Sequence, residues 1–427
     1  MAKKTIRDLP ADLTGKKVLV RFDLNVGIDE KTGEIRNDRR IRAALPTLEN
    51  LLKRGAAVIA MSHLGRPKPN NPPEKNAPFK MDRVAKRIGD YVKKNVAKAN
   101  DVVGPDARAK AAALKPGSVL LLENVRFHPF EQPLDKKTNP TESQIAEHEK
   151  GMAAFAAELA ALGDIYVNDA FGTLQNKDVS VLALPRAMAG KPRVIGLLVE
   201  DELAKINALL DHSKSPMIGI MGGAKVSDKI KFIQVLLDKV NSLLIGGKMT
   251  YTFLKAQGVD VGDCKIDPTD EELVKAHLLS QVGKKIMLPV DYLVANVSED
   301  KDKKLVIGET RVVSGPIPAG FSGVDIGPKT LADYANRVAG AATVIWNGPV
   351  GWFEQEAFSK GTRGIAEAMS KLKARGGTSV VGGGETAEAV EEYGLVDQMS
   401  HVSTGGGAFL KYVEERKFKT LDLIEDK

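Results

Sequence analysis

Nine short apolar runs recur along the chain, separated by segments of helical spacing, and this rhythm limits the folds open to it. The runs are "KVLVRFDL", "AAVIAMSH", "SVLLLEN", "DIYVND", "PMIGIMG", "SLLIGG", "KIMLPVDYLV", "TVIWNG" and "TSVVGGG". Between them lie stretches such as "NDRRIRAALPTLENLLKRG" and "EHEKGMAAFAAELAALG". Continuous apolar strands alternating with helices predict an α/β fold with parallel sheets buried on both faces. Such sheets bind ligands beyond the carboxyl ends of their strands, so the residues just after each run are the ones to read. With 427 residues the chain exceeds the roughly 250–300 that one core usually holds, which predicts two domains. The chain resets at "DHSKSP" after a helix start near Glu200, placing the junction at about 190–205. The Pro- and charge-rich "HPFEQPLDKKTNPTES" is expected to be a solvated surface loop.

Charge is unevenly distributed. Residues 1–130 carry 27 Lys and Arg against 14 Asp and Glu, while the remainder carries 35 against 41. A basic first part suits nucleic acid, a membrane surface or a small anion. Nucleic-acid surfaces interleave aromatics with their basic residues; aromatics are only 5% here, and the small anion is preferred. No apolar run reaches the ~18 residues of a membrane helix. The basic N-terminus lacks an apolar stretch behind it, so no secretory leader is expected. The single cysteine, Cys264, allows no intrachain disulfide. Together these features predict a cytoplasmic protein.

At the strand ends of the first half, Arg21, Asp23 and Asn25 of "RFDLNV" share one side at a period of two. His63 and Arg66 follow in "SHLGRP", and Arg126 in "VRFH". Arg39, Arg40 and Arg42 crowd the first turn of a helix capped by Asn37 or Asp38, against the helix dipole. Arginines at several strand-proximal turns form a basic pocket. In the second half, "GGAKVSDK" lacks the P-loop spacing but offers exposed amides, a helix start, Lys225 and Lys229. "WNGPVGWFE" ends in Glu354, suited to ribose hydroxyls. "VVGGGETAEA" sets Gly382, Gly383 and Gly384 before Glu385 and Thr386 at a helix start, and Glu385 could hold a divalent cation shared with phosphates. A further glycine run spans Gly405 to Gly407. Successive glycine runs, one with an acid, read as a nucleotide–magnesium site.

With these residues in place, the chain resembles the phosphoglycerate kinase family nearly end to end. The resemblance rests on "VRFDLNV", "DRRIRAALPT", "SHLGRP", "LLENVRF", "VNDAFGT", "GGAKVSDKI", "FSGVDIGP", "WNGPVGWFE", "GGGETA" and "SHVSTGGGA". It implies two Rossmann-like domains with parallel sheets, joined by a hinge: 1–195 for phosphoglycerate and 196–415 for nucleotide. The tail 416–427 would pack back on the first domain. It implies reversible transfer of the acyl phosphate of 1,3-bisphosphoglycerate to ADP, dependent on Mg2+, by a monomer that uses neither nucleic acid nor membrane. By resemblance, Arg21, Asp23, Asn25, Arg40, His63, Leu64, Gly65, Arg66, Arg126 and Asn176 line the substrate site. Gly222, Gly223, Lys225, Lys229, Gly246, Gly323, Asn347, Pro349, Glu354 and the 382–386 loop line the nucleotide site. Arg40 and Lys225 would be catalytic and Glu385 the metal ligand.

Three departures from the family pattern stand out. "DAFGTLQNKDVS" replaces the usual "DAFGTAHRAHAS", so that Gln175, Asn176 and Asp178 stand for a histidine, an arginine and a second histidine. Lys177, beside Asn176, is a candidate replacement for the missing arginine. Glu385 stands for an aspartate, and Lys248 for a glycine in "IGGKM". The alternative these departures raise is a catalytically weakened relative with a binding or regulatory role.

Overall fold

In the computed structural model the structure describes residues 2–29, 32–301 and 304–427. The chain divides into two units, residues 1–204 with 417–427, and residues 205–416. The division falls within the unbroken helix Leu197–His212. No helix among the described residues is long and apolar enough to cross a membrane.

The first unit holds β1 (Lys17–Phe22), β2 (Ala57–Met61), β3 (Val96–Lys98), β4 (Val119–Leu121), β5 (Ile165–Asp169) and β6 (Arg193–Ile195). They form one parallel sheet in the order β3-β4-β2-β1-β5-β6. Every residue of β2 and β5 is buried, as a strand covered on both faces requires. The helix Arg39–Lys53 turns Ile41, Ala44, Leu48, Leu51 and Leu52 to the core, an apolar stripe at helical period. Residues near the C-terminus belong to this unit. Lys4 N donates to Glu425 O at 2.8 Å and Ile195 N to Lys4 O at 2.9 Å, and Phe418 meets Phe171 edge-on.

The second unit holds β7 (Met217–Met221), β8 (Ser242–Ile245), β9 (Ile286–Met287), β10 (Tyr292–Glu299), β11 (Leu305–Val313), β12 (Ser322–Ile326), β13 (Thr343–Asn347), β14 (Thr378–Gly382) and β15 (His401–Val402). Its parallel sheet runs β15-β14-β13-β7-β8-β9. A separate antiparallel sheet, β11-β10-β12, accompanies it. The nine runs did not include β11, which is exposed along most of its length despite the apolar Leu305, Val306 and Ile307 at its start.

The expectation that "KIMLPVDYLV" is one strand is also corrected. β9 ends at Met287, and β10 begins at Tyr292. Pro289 lacks an N–H for a sheet ladder, and the buried Asp291 has another task. Its carboxylate caps the helix Pro328–Ala339, accepting from Lys329 N at 3.0 Å, Thr330 N at 2.8 Å and Thr330 Oγ1 at 2.7 Å. Asp291→Ala strands these buried donors, and stability should fall by about 2 kcal/mol. Urea unfolding followed by a probe in the second unit measures the loss; an unchanged midpoint would refute the capping role.

Candidate functional site

In the first unit the loops after β1, β2 and β4 bring a cationic cluster together. Arg21 is fully buried at the end of β1. Its Nε donates to Ser180 Oγ at 2.8 Å, its guanidinium to the Phe22 carbonyl, and its Nη2 lies 3.2 Å from His63 Nδ1. Burial, with Arg21, Arg126 and Arg40 adding to it, pushes the His63 pKa down to about 3 against the pull of Asp23. The imidazole is therefore neutral at physiological pH, and Nδ1 is the acceptor for Arg21. Asp23 and Asn25 lie beyond β1 rather than on it. Asp23 accepts from Arg40 Nη1 at 2.6 Å. Burial alone would raise its pKa, but Arg40, His63 and Arg21 outweigh that and hold the carboxyl below its ordinary value.

Arg126 joins the cluster through a bond from Nη1 to Gly65 O at 2.7 Å. Asn25 Oδ1 accepts from Gly65 N at 2.7 Å, and Asn124 Nδ2 donates to Leu64 O at 2.8 Å, so Leu64 and Gly65 form a pinned turn. Gly65 has φ of +63°, which disfavours a side chain there. Arg66 points to solvent. Asn176 Nδ2 donates to Asp178 Oδ2 at 3.2 Å, and the same carboxylate lies 3.8 Å from Arg126 Nη2. The intervening Lys177 is exposed and lines a separate groove with Leu134, Met152 and Leu182. That groove is distinct from the Arg126 contacts and gives no sign of Lys177 standing in for an arginine.

Glu131 falls in the segment expected to be a solvated loop, and this expectation fails at that residue. It is fully buried, binding Ser180 Oγ at 2.5 Å and accepting from Ser180 N at 3.0 Å. Burial first, then the charge of Asp178, pushes its pKa up to about 7. Sequence reasoning missed Glu131 and Ser180 because nothing in a Pro-rich loop signals that one carboxylate turns inward.

In the second unit a cavity of about 230 Å3 opens where the loops after β7, β8, β13 and β14 meet β12. Gly223, Gly323, Pro349, Glu354 and Glu385 line it, as do Lys248 and Tyr251. Lys225 is exposed and follows Ala224 of the wall. Lys229 Nζ donates to Gly222 O at 2.9 Å. Burial lowers its pKa to about 8, opposed by Glu385 and Asp228.

The expected cradle of free amides at "GGAKVSDKI" needs correction. Gly222 N and Gly223 N already donate to the carbonyls of Asn347 and Pro349, at 2.9 and 3.1 Å. Val226 N and Ser227 N are taken by the buried Asp270, at 3.1 and 2.9 Å. The helix starts only at Ile230. These glycines serve loop-on-loop packing: a Cβ at Gly222 would fall 2.0 Å from Pro349 O. Gly246 lies against Val350, Gly382 against Phe409 and Gly323 against Tyr251 in the same way. Gly383, with φ of +96°, lies beside the Asn347 amide, and Thr386 Oγ1 accepts from Gly348 N at 2.6 Å. Gly384 faces open space, and Glu385 stands exposed in the first turn of the helix Gly384–Glu392. The second unit thus presents lysines and the first turn of the helix Gly384–Glu392 on a frame of closely packed glycines.

Comparison with known proteins gives a consistent result. The phosphoglycerate kinase family profile matches residues 6–416. A phosphoglycerate kinase of Chloroflexus aurantiacus is 44% identical over 431 positions, covering 100% of both chains. One of Rhodopirellula baltica is 42% identical over 426, with the same coverage. Among solved structures, phosphoglycerate kinase from Coxiella burnetii matches with a TM-score of 0.75 at 34% identity, covering 99% of this chain and 98% of that one. The Pyrococcus horikoshii enzyme matches with a TM-score of 0.76 at 27% identity and the same coverage. With two parallel six-stranded sheets, a buried arginine cluster in one unit and a lysine–glycine cavity in the other, the chain belongs to the phosphoglycerate kinase family, phosphotransferases with a carboxyl group as acceptor.

Proposed function

We propose that this chain catalyses reversible, magnesium-dependent transfer of the acyl phosphate of 1,3-bisphosphoglycerate to ADP, giving 3-phosphoglycerate and ATP, as a cytoplasmic monomer of glycolysis, gluconeogenesis or carbon fixation. The observation that carries the reading is the pair of anion-suited sites, one in each unit. The cluster of Arg21, His63, Arg126 and Arg40 would take phosphoglycerate. The cavity with Lys248, Glu354 and Glu385, flanked by Lys225 and Lys229, would take the nucleotide.

The chemistry matches what these residues can do. In one direction the nucleophile is a phosphate oxygen, and in the other a carboxylate ionised at neutral pH. Neither needs a general base, and neutral His63 does not supply one; its remaining role is to orient Arg21. Catalysis then rests on alignment and on stabilising charge in the transferring group, assigned here to Arg40 and Lys225. Glu385 opens on the cavity beside Glu354, and Mg2+ commonly takes one or two carboxylates plus phosphate oxygens and water, so the donor set fits. The ion, when bound with the nucleotide, neutralises phosphate charge.

Arg40→Ala and Lys225→Ala should each lower kcat by about 10²–10³. Lys225 is exposed, so its variant should unfold at nearly the wild-type temperature; Arg40→Ala leaves the buried Asp23 without its closest counter-charge and should also lower the unfolding temperature, so its turnover is compared on folded protein. A coupled assay of ATP formation decides: near-normal turnover in either variant removes that residue from the mechanism, and a wild type without turnover favours the binding or regulatory alternative.

Glu385→Ala should weaken nucleotide binding in the presence of magnesium and leave phosphoglycerate binding intact. Calorimetric titration with ADP, with and without magnesium, separates the two, and equal affinities in the variant and the wild type would exclude Glu385.

Lys229 gives a pH dependence. Its pKa is lowered to about 8 in the free protein, and a bound phosphate would favour the ammonium form. ADP should therefore bind with proton uptake above pH ~8, and its affinity should fall as pH rises through that value. Lys229→Met should flatten the profile; an unaltered profile would show that Lys229 does not face phosphate.

A further inference from the structure

Asp178 is nearly fully buried, and no step proposed above uses it. Its carboxylate lies 3.8 Å from Arg126 Nη2 and accepts from Asn176 Nδ2 at 3.2 Å. Arg126 is itself largely buried, with one bond from Nη1 to Gly65 O and a buried Nε that has no hydrogen-bond partner. Burial disfavours the charged guanidinium, and Asp178 is the largest of the influences that restore it. The carboxylate is close enough to neutralise the arginine but too far for a direct bond, so Nη2 and Nε are held charged and incompletely paired. That arrangement suits a group that must be shared with an incoming anion. Arg40 shows the contrasting case, locked to Asp23 at 2.6 Å.

We propose that Asp178 is a resident counter-ion for Arg126 that sets the affinity of the first unit for its anionic substrate, acting as a specificity-determining residue through Arg126. The proposal rests on reading that unit as the phosphoglycerate site. An arriving phosphate or carboxylate draws on the same guanidinium as Asp178 and is repelled by it. Both effects weaken binding and speed release. Asn176 holds the carboxylate in place from the other side. An arginine introduced at 176 would meet Asp178 first, so Asn176→Arg alone would be captured by that carboxylate rather than offered to substrate. Positions 176 and 178 therefore act together on the charge that Arg126 presents, since Asn176 and Arg126 approach the same Asp178 oxygen.

Asp178→Asn keeps the side-chain shape and removes the charge. It should lower the KM for 3-phosphoglycerate by roughly ten-fold, the scale of one hydrogen bond to a charged group, and leave the KM for ATP unchanged. Asn176→Arg should lower the KM for 3-phosphoglycerate by less than Asp178→Asn does, and the double variant should lower it further than either. Binding of inorganic phosphate, measured by calorimetry with ADP present to occupy the second unit, should tighten in parallel. Asp178→Ser, smaller and also uncharged, repeats the test if the asparagine variant does not fold. A folded uncharged variant whose 3-phosphoglycerate KM and phosphate affinity are unchanged or weaker overturns the proposal, as does full gain from Asn176→Arg alone. If neither wild type nor variant turns over 3-phosphoglycerate while phosphate still binds more tightly to the variant, the counter-ion role stands and the assigned reaction falls.

Discussion

Burying a guanidinium without partners is prohibitively unfavourable, and the first unit is organised around meeting that cost at Arg21. Three sequence-distant segments must converge for it. β1 supplies the arginine and the Phe22 carbonyl, the turn after β2 supplies His63, and the 179–180 segment supplies Ser180. Ser180 in turn is fixed by Glu131, whose own loop is pulled inward to reach it. The neutral state of His63 follows from the same burial, whereas Asp23 persists as a carboxylate against burial because Arg40 and Arg21 flank it. The cradle is therefore rigid before any ligand arrives, which suits a reaction governed by alignment rather than by proton transfer.

The second unit solves a different problem. Its loops approach so closely that backbone amides and carbonyls of 222–223 and 347–349 satisfy each other. Glycine at 222 is a consequence of this approach, since a Cβ would strike Pro349 O. The frame leaves the lysines and the start of the helix Gly384–Glu392, rather than the Gly222 and Gly223 amides, to meet an anion. Below it, Asp270 ties down the loop that carries Lys225, and Asp325 accepts from Gly361 N and Ile326 N beneath the cavity. Asp325 illustrates the cost of such placement: burial raises its pKa to about 7. Stability from this group therefore falls as pH rises from the ordinary carboxyl pKa to the raised value, and the loss persists above it. The two units thus hold charge by opposite means, one through buried side-chain networks and one through interlocked backbone.

Much of this was legible in the sequence, for a physical reason. Strands buried on both faces must be continuous apolar runs, so β1, β2, β4, β5, β7, β8, β13 and β14 were each visible, and the residues after them were the right ones to examine. Local polarity did not predict burial. Glu131 looked like part of a solvated loop, yet it is interior. The antiparallel sheet escaped because β11 is exposed nearly throughout, and its apolar Leu305, Val306 and Ile307 give way to Gly308, Glu309, Thr310 and Arg311, so it lacks the continuous run of a strand buried on both faces. The break between β9 and β10 turned on Asp291 finding donors some forty residues away, which no local window contains.

The sequence by itself determined the alternation of strands and helices, the division of charge between the halves, and the residue types at the strand ends, because apolar period and charge are local properties of the chain. Only the tertiary structure decided that the Gly222 and Gly223 amides are spent on neighbouring carbonyls, that Asp270 holds the loop before Lys229, and that Asp178 faces Arg126. Those outcomes depend on which donor meets which acceptor once distant loops converge, and a hydrogen-bond partner is chosen by distance in space rather than by spacing in sequence.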